Sequence, residues 1–383
     1  MTVLTVPPSD LAPRVASTHV DDFPVPHGRE EEWRFAPMDV LAPFFEVDPD
    51  AGVIGADGDA HISTVPMSEV SSAWLPTDRA AAVAFAGVSS AVRVSVAAEE
   101  SVTEPIVVDL RGSAPRNYGF VDVQVGRHAS AVVVLVHDAG VDASGAIVTS
   151  VGDGASLTML SIMDGPAERT HLWHWHTEVG RDATFVGSVV TIGGQTVRML
   201  PSVTFAGPGG SAEILGAFLA DAGQYFEHRI FVDHGTPHCS SNVVFKGALS
   251  GEGTHTVWVG DVLVRRDAVG IDTYEMNRNL LLDDGARADS VPNLELETGD
   301  VASAGHASAT GRFDDEQLFY LMARGIPERM ARQLVVRGFF VDVLARIPSE
   351  HWRVAVLHRI AQRLGMDDDL EAQLEGAGQE GEA

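Results

Sequence analysis

Ala91-Val92-Arg93-Val94-Ser95-Val96 alternates apolar and polar side chains with period 2, the spacing of a strand that buries one face. Further on, the pattern repeats. Val125-Gly126-Arg127-His128-Ala129, Val151-Gly152-Asp153-Gly154-Ala155, Val179-Gly180-Arg181-Asp182-Ala183 and Ala206-Gly207-Pro208-Gly209-Gly210 align with one another. Each precedes a strand-like run such as Ser130–Val136 or Ser156–Met163. The leading glycines step by 26, 28 and 27 residues, and Gly235 continues at 28 with a weaker match. A fixed period of this length means one structural unit per repeat, stacked on its neighbours. The units are rich in Val, Thr and Ile, and neither helical periodicity nor a leucine-rich-repeat pattern is present. A parallel β-solenoid is the expectation, each coil turning sharply at its leading glycine, where positive φ is cheap. The rival is a two-sheet sandwich with irregular hairpins.

Strand-like sequence continues through 242–245, 256–259 and 262–264 to Leu280-Leu281-Leu282 and Leu294-Glu295-Leu296-Glu297. After Gly311 the character changes. Asp314 or Asp315 can N-cap a helix through Ala323, and Arg324-Gly325-Ile326-Pro327 reads as a stop and a new start with Pro at the first helical position. The second helix carries the stripe Met330, Leu334, Phe340, Leu344 and Ile347, and Ser349 caps a third ending near Gly365. Near the N-terminus, Gly28 to Phe35 predicts a short acidic helical turn around one large aromatic, Trp33. Residues 1–27, rich in Pro, Ser and Asp, read as a flexible lead-in. Residues 28–115 form a mixed helical and strand region, 116–311 the solenoid core and 312–366 a helical domain. The tail 367–383, with seven acidic and no basic residues, reads as disordered.

Composition narrows the function. Of 383 residues, 54 are acidic and 26 basic, a formal charge of −28 that repels phosphate backbones and anionic lipid. Neither nucleic acid nor membrane is an expected partner. The longest apolar run, near 80–88, is far short of a membrane span, and the N-terminus lacks the basic and apolar regions of a signal peptide, so the cytoplasm is the expected compartment. A single cysteine, Cys239, excludes a disulfide framework and a CxxC metal site made by this chain alone. No P-loop, nucleophile elbow, zincin or dinucleotide motif occurs, so no nucleotide is expected here. Lys246 is the only lysine, which fits a genome rich in G and C.

Histidines offer the remaining chemistry. In His171-Leu172-Trp173-His174-Trp175-His176, a strand would put His174 and His176 on one face and both tryptophans on the other. That reads as a polar face opposite a core-facing aromatic one, with a metal shared by the imidazoles as the alternative. His228, His234, His238 and Cys239 form a loose second group without soft-ligand spacing, and Cys239 reads as a small core residue. His306 follows the last strand-like run among small neighbours, Ala302-Ser303-Ala304-Gly305-His306-Ala307-Ser308. A lone imidazole on a flat surface is what a metal or interface ligand would look like, but on the residues alone it reads first as an ordinary surface histidine.

Four segments resemble one family. They are Tyr274-Glu275-Met276-Asn277-Arg278-Asn279-Leu280-Leu281-Leu282, Ser290-Val291-Pro292-Asn293-Leu294-Glu295, Gly305-His306, and the long block from Phe313-Asp314-Asp315-Glu316-Gln317-Leu318-Phe319-Tyr320 to Gly325-Ile326. Together they resemble the SufB/SufD family of iron–sulfur cluster assembly proteins, and Glu32-Trp33-Arg34-Phe35 is typical of its SufD branch. The resemblance implies a mainly β fold, a right-handed parallel β-helix with N-terminal and C-terminal helical segments. It implies a non-catalytic subunit that pairs with a SufB-like protein and docks the ATPase SufC, with a transient iron–sulfur cluster formed at the shared interface. The family's functional SufD histidine falls on His306, as one ligand to iron or a nascent cluster. SufC docking is expected around Phe319, Tyr320, Arg324, Gly325, Phe339 and Phe340. Two departures matter. The scaffold cysteine of SufB is replaced in the stretch Met276-Asn277-Arg278-Asn279, and the Cys-Ser-His-Gly of many SufD sequences is Ala304-Gly305-His306-Ala307 here. The chain therefore offers no thiolate near His306 and is neither a self-sufficient scaffold nor the SufB paralogue. The alternatives are a secreted-type β-helix enzyme acting on carbohydrate and a purely structural adaptor. A homodimer of the isolated chain through an exposed strand edge also stays open.

Overall fold

The computed structural model describes residues 15–364 apart from 59, 71–73, 139, 314 and 348; the expected lead-in before residue 15 and the acidic tail lie outside them. Successive strands go alternately to two facing sheets, which makes a parallel β-solenoid of about eight turns. One sheet runs, in space, from Ile62–Pro66 through Ser90–Val96, Arg116–Val125, Asp142–Val151, Thr170–Val179, Thr196–Phe205, Tyr225–His234 and His255–Val264 to Arg287–Leu296. The other runs from Gly55–Ala56 through Ile106–Arg111, Ser130–Val136, Ser156–Met163, Thr184–Thr191, Ser211–Ala220, Ser240–Leu249 and Ile271–Leu281 to Val301–Arg312. Rungs pair in unbroken register, as in His171 to Val179 on Ala143 to Val151. Gly52–Val53 and Ser90–Val96 both pair in parallel with Arg116–Val125, so parallel pairing starts ahead of residue 116. Among the described residues, antiparallel pairing is confined to two short strands, Ile62–Pro66 and Gly55–Ala56, which close the N-terminal end.

The repeat glycines do something other than expected. Positive φ falls two residues later in each coil, on His128 (54°), Gly154 (66°), Asp182 (53°) and Gly209 (79°). The leading glycines instead touch the coil below. A Cβ on Gly126 would lie 2.5 Å from the Ala98 nitrogen, and one on Gly152 2.6 Å from the Arg127 nitrogen. What the position requires is the absence of a side chain, so that backbones can stack at rung spacing. Just inside the turn, Ala129, Ala155, Ala183 and Cys239 form a buried column of small side chains. Cys239 is thus a rung of the core ladder.

Between the sheets lies a continuous apolar core from Ile54 to Ile271, including Trp173, Trp175, Phe185, Phe226, Phe245 and Trp258. Two outer layers cover the faces. Helices Glu328–Leu344 and Glu350–Arg363 press Val336, Phe340, Val343, Leu344, Val356 and Ile360 onto Val190, Leu215, Val244 and Ala248 of one sheet. Pro327 sits at the N-cap rather than at the first helical position, and Met330 and Leu334 of the anticipated stripe are only half-buried. Ser349 caps the last helix as expected. Lys246 ties this layer down, its Nζ donating to the Phe339 carbonyl at 2.9 Å and pairing with Asp342. On the other sheet, helix Arg79–Gly87 packs Val83 and Ala84 on Tyr118, Phe120 and Val148. Beside it, residues 31–35 form hydrogen-bonded turns rather than a helix, closed by Trp33 N on Glu30 O and Ala36 N on Trp33 O, both at 3.0 Å. Among the described residues no helix is long and apolar enough to cross a membrane.

Candidate functional site

Among the described residues, the N-terminal end of the solenoid is closed by antiparallel strands and no strand closes the C-terminal end. Among the described residues, Arg287–Leu296 and Val301–Arg312 are the last strands of the two sheets, each paired on one side only. The inward face changes character there too. Strand Ile271–Leu281 turns Thr273, Glu275, Asn277 and Asn279 toward the inter-sheet space, all buried. Thr273 Oγ1 is 2.7 Å from Ser241 Oγ, which in turn meets His234 Nε2 at 2.9 Å. Asn277 bonds Ser290, and Asn279 Nδ2 donates to Asn277 Oδ1 at 2.7 Å and Thr310 Oγ1 at 3.3 Å. An open solenoid end cannot be closed by apolar side chains without exposing them, and this polar layer takes their place.

His306 lies on the terminal strand directly above Glu275 in the register. Its side chain is 44% exposed and its Nδ1 is 3.7 Å from Glu275 Oε1. Glu275 is wholly buried, and neither carboxylate oxygen has a hydrogen-bond partner in good geometry. Burial pushes its pKa up to about 8, Asp261 adds to the rise, and the Asn293 N–H opposes it weakly. Gly260 makes room on the facing sheet, since a Cβ there would be 2.2 Å from Glu275 Oε2. Imidazole and carboxylate side by side are iron ligands by type. Among the described residues no group of three His, Cys, Asp or Glu side chains forms a complete metal site, so these two are at most part of one.

His174, His176, His228 and His234 are held by neighbours of their own. His174 and His176 do share the outer face, opposite Trp173 and Trp175, but His174 Nε2 meets Asp78 Oδ2 at 3.1 Å and His176 Nδ1 meets Ser202 Oγ at 3.0 Å. His171 points inward with the tryptophans, and its ring nitrogens have no hydrogen-bond partner. His228 stacks on Phe218 and bonds Thr191, while His234 stacks on Phe205. His238 occupies a left-handed turn position at φ 60°.

The residues expected at a docking surface divide. Phe319 and Tyr320 on helix Asp315–Ala323 are 73% and 55% exposed, and the Arg324 guanidinium lies over the Tyr320 ring at 4.4 Å. Gly325 follows in a left-handed conformation at φ 87°. Phe339 is half-buried under Lys246. Phe340 is a correction: it is fully buried in the helix–sheet layer and offers no surface to a partner.

Comparison with known proteins agrees with this architecture. Residues 111–339 match the family model described as the SUF system FeS cluster assembly SufBD core domain. A SufBD-family iron–sulfur cluster assembly protein of Mycobacterium bovis is 45% identical over 376 residues, covering 93% of this chain and 94% of the relative. One from Mycobacterium leprae is 42% identical over 369 residues, covering 91% and 93%. The iron–sulfur cluster assembly protein SufD of Escherichia coli is 30% identical over 194 residues, about half of each chain (51% and 45%). With the solenoid, its helical flanks and the matched core all in place, the chain belongs to the SufB/SufD family of iron–sulfur cluster assembly proteins.

Proposed function

We propose that this chain is the SufD-type, non-catalytic subunit of a cytoplasmic cluster-assembly complex. It pairs with a SufB-like protein through the open C-terminal end of its solenoid and docks a SufC-like ATPase through the surface of Phe319, Tyr320, Arg324 and Gly325. His306 supplies one ligand to iron or to a nascent cluster held between the two subunits, and thiolates come from the partner. The observation that carries this reading is the position of His306, a half-exposed imidazole on the last rung of an uncapped parallel stack. The two strand edges beside it, unpaired among the described residues, are suited to continuing the sheets into a second chain. The aromatic–Arg pair on the following helix has the composition of an interface anchor. Family membership supplies the process, and it leaves the carbohydrate-active alternative without support.

The test is His306→Ala in the chain co-expressed with its SufB-like and SufC-like partners. The complex is expected to assemble normally and to yield less iron and acid-labile sulfide on reconstitution. An unchanged cluster yield would remove His306 from the chemistry and leave a structural adaptor.

A further inference from the structure

Glu275 is a buried acid without an evident structural duty. A glutamine or an apolar residue would fill the same space without desolvating a carboxyl, and a buried polar group left unpaired costs stability. Its neighbours on the inward face are knit together, Thr273 to Ser241 and Asn277 to Ser290, whereas neither oxygen of Glu275 has a hydrogen-bond partner in good geometry. The side chain is nevertheless accommodated with care, because Gly260 on the facing strand is the one residue type that leaves space for Oε2.

Its other oxygen points at His306. The 3.7 Å separation from Nδ1 is too long for a hydrogen bond. It is close to what one shared ion requires, since two donors each about 2.1 Å from a metal at a tetrahedral angle lie about 3.4 Å apart. A small side-chain rotation closes the difference. The pair sits on the terminal rungs, where His306 reaches solvent and a second chain can complete the coordination. The chain's single cysteine is buried at the turn of the coil directly below, its Sγ against Thr236 and the Gly207 carbonyl, so Glu275 is the oxygen donor within reach of this imidazole and gives up its proton when a cation binds.

We infer that Glu275 is a second iron ligand, forming with His306 a carboxylate–imidazole half-site for ferrous iron whose remaining ligands come from the partner chain. This rests on the proposed role of His306 and extends it. A mixed N,O pair holds ferrous iron loosely and leaves open positions, as suits a site that takes up iron and passes it on.

The test is anaerobic titration of the co-purified SufB-like complex with Co(II), a spectroscopic stand-in for ferrous iron, read as affinity and visible absorption. Glu275→Gln is expected to weaken Co(II) binding by about tenfold or more, and His306→Ala by a similar factor. The double variant should lose little beyond the worse single one, because one ion joins both groups. Wild-type affinity in Glu275→Gln alongside a loss in His306→Ala overturns the inference and leaves the role of His306 standing. Wild-type affinity in both overturns the two together. Glu275→Asp, which keeps the charge but withdraws the oxygens by one methylene, decides the matter if the Gln variant does not fold: reduced affinity supports ligation and unchanged affinity overturns it.

Discussion

His174 Nε2 meets Asp78 Oδ2 at 3.1 Å, and the same Asp78 carboxylate caps helix Arg79–Gly87 by accepting from Ala81 N at 2.8 Å. One buried carboxylate thus joins a solenoid rung to the helix that covers it. Arg198 extends the junction. Its Nη1 reaches Asp78 Oδ2 at 3.3 Å and its Nε reaches Glu227 Oε2 at 3.0 Å, while Nη2 donates to the Glu32 carbonyl at 2.8 Å. Its guanidinium lies 3.9 Å from the centre of the Trp33 ring. Burial opposes ionisation of Asp78, yet His174 and Arg198 hold its pKa below the usual carboxylate range. Removing Asp78 leaves the buried Arg198 guanidinium with one carboxylate fewer. Asp78→Ala is therefore expected to cost about 3–5 kcal/mol, helix cap included. Asp78→Asn, which keeps an acceptor for Ala81 N, should cost less. Denaturant unfolding measures both, and a change within about 0.5 kcal/mol for Asp78→Ala would refute the junction's importance.

Five histidines make the fold sensitive to acid. Burial lowers the pKa of His137, His171 and His228 from 6.5 to about 3, and that of His176 and His234 to about 4. The unfolded chain takes up these protons below pH 6.5 and the folded chain does not. Their contribution to stability is complete above pH 6.5 and is lost as pH falls toward 4. At pH 5 each costs about 2 kcal/mol. The melting temperature is expected to drop steeply between pH 6.5 and 4.5. His171→Leu removes a ring without hydrogen-bond partners and should flatten that dependence by about one proton's worth. Parallel curves for the two proteins would contradict this.

Two glycines should respond oppositely to alanine. At Gly152 a Cβ would meet the Arg127 nitrogen at 2.6 Å and the Gly126 carbonyl carbon at 2.8 Å, backbone atoms that cannot swing away. Gly152→Ala must separate two coils and is expected to cost about 1–3 kcal/mol. Gly338 is exposed in helix Glu328–Leu344 with nothing within 4 Å of its Cβ position. Gly338→Ala should stabilise by up to about 1 kcal/mol through helix propensity alone. Thermal unfolding of the pair compares coil spacing with chain entropy directly.

The repeat was legible because solenoid coils impose the same demand at the same step, and Gly126, Gly152, Gly180 and Gly207 mark it. Which demand they meet was not legible, since close approach and positive φ select the same residue; only the position of His128, Asp182 and Gly209 in the left-handed region separates the two. His306 stood out because small neighbours surround it. Glu275 did not, because strand Ile271–Leu281 mixes polar and apolar residues on both faces, so alternation cannot say which face turns inward. The partner of His174 was hidden for a different reason: Asp78 lies 96 residues from it along the chain, and Arg198, which shares that carboxylate, lies 120 residues from Asp78, so nothing local links them. Phe340 belongs to a stripe with Leu344 and Ile347 whose period already favours burial, whereas Phe319 falls outside it.

That contrast separates docking from folding. Phe319 and Tyr320 are exposed, so Phe319→Ser and Tyr320→Ser should leave thermal stability within about 0.5 kcal/mol of the parent. Their effect is expected in capture of a SufC-like ATPase, as a loss of tenfold or more in affinity if they anchor it. Phe340→Ala empties part of the helix–sheet layer and should cost about 3–5 kcal/mol. Retained ATPase affinity in both serine variants would move the docking surface elsewhere.

Glu275 also marks stability with a pH signature of its own. Its carboxyl has a pKa raised from 4.5 to about 8 in the folded chain, with burial first and Asp261 second as causes. The groups facing it are Asp261 and the Asn293 N–H from the opposite sheet and His306 from the rung above. Between pH 4.5 and 8 the folded state keeps a proton that the unfolded state releases, so this group's stabilising contribution is complete below pH 4.5 and declines as pH rises through 8. Glutamine cannot ionise. In metal-free buffer Glu275→Gln should therefore match the parent near pH 4.5 and exceed it by an increasing margin toward pH 8, on the order of a few kcal/mol, levelling off above. A margin independent of pH would mean that the carboxyl is already solvated in the folded chain, through an opening between the last two rungs.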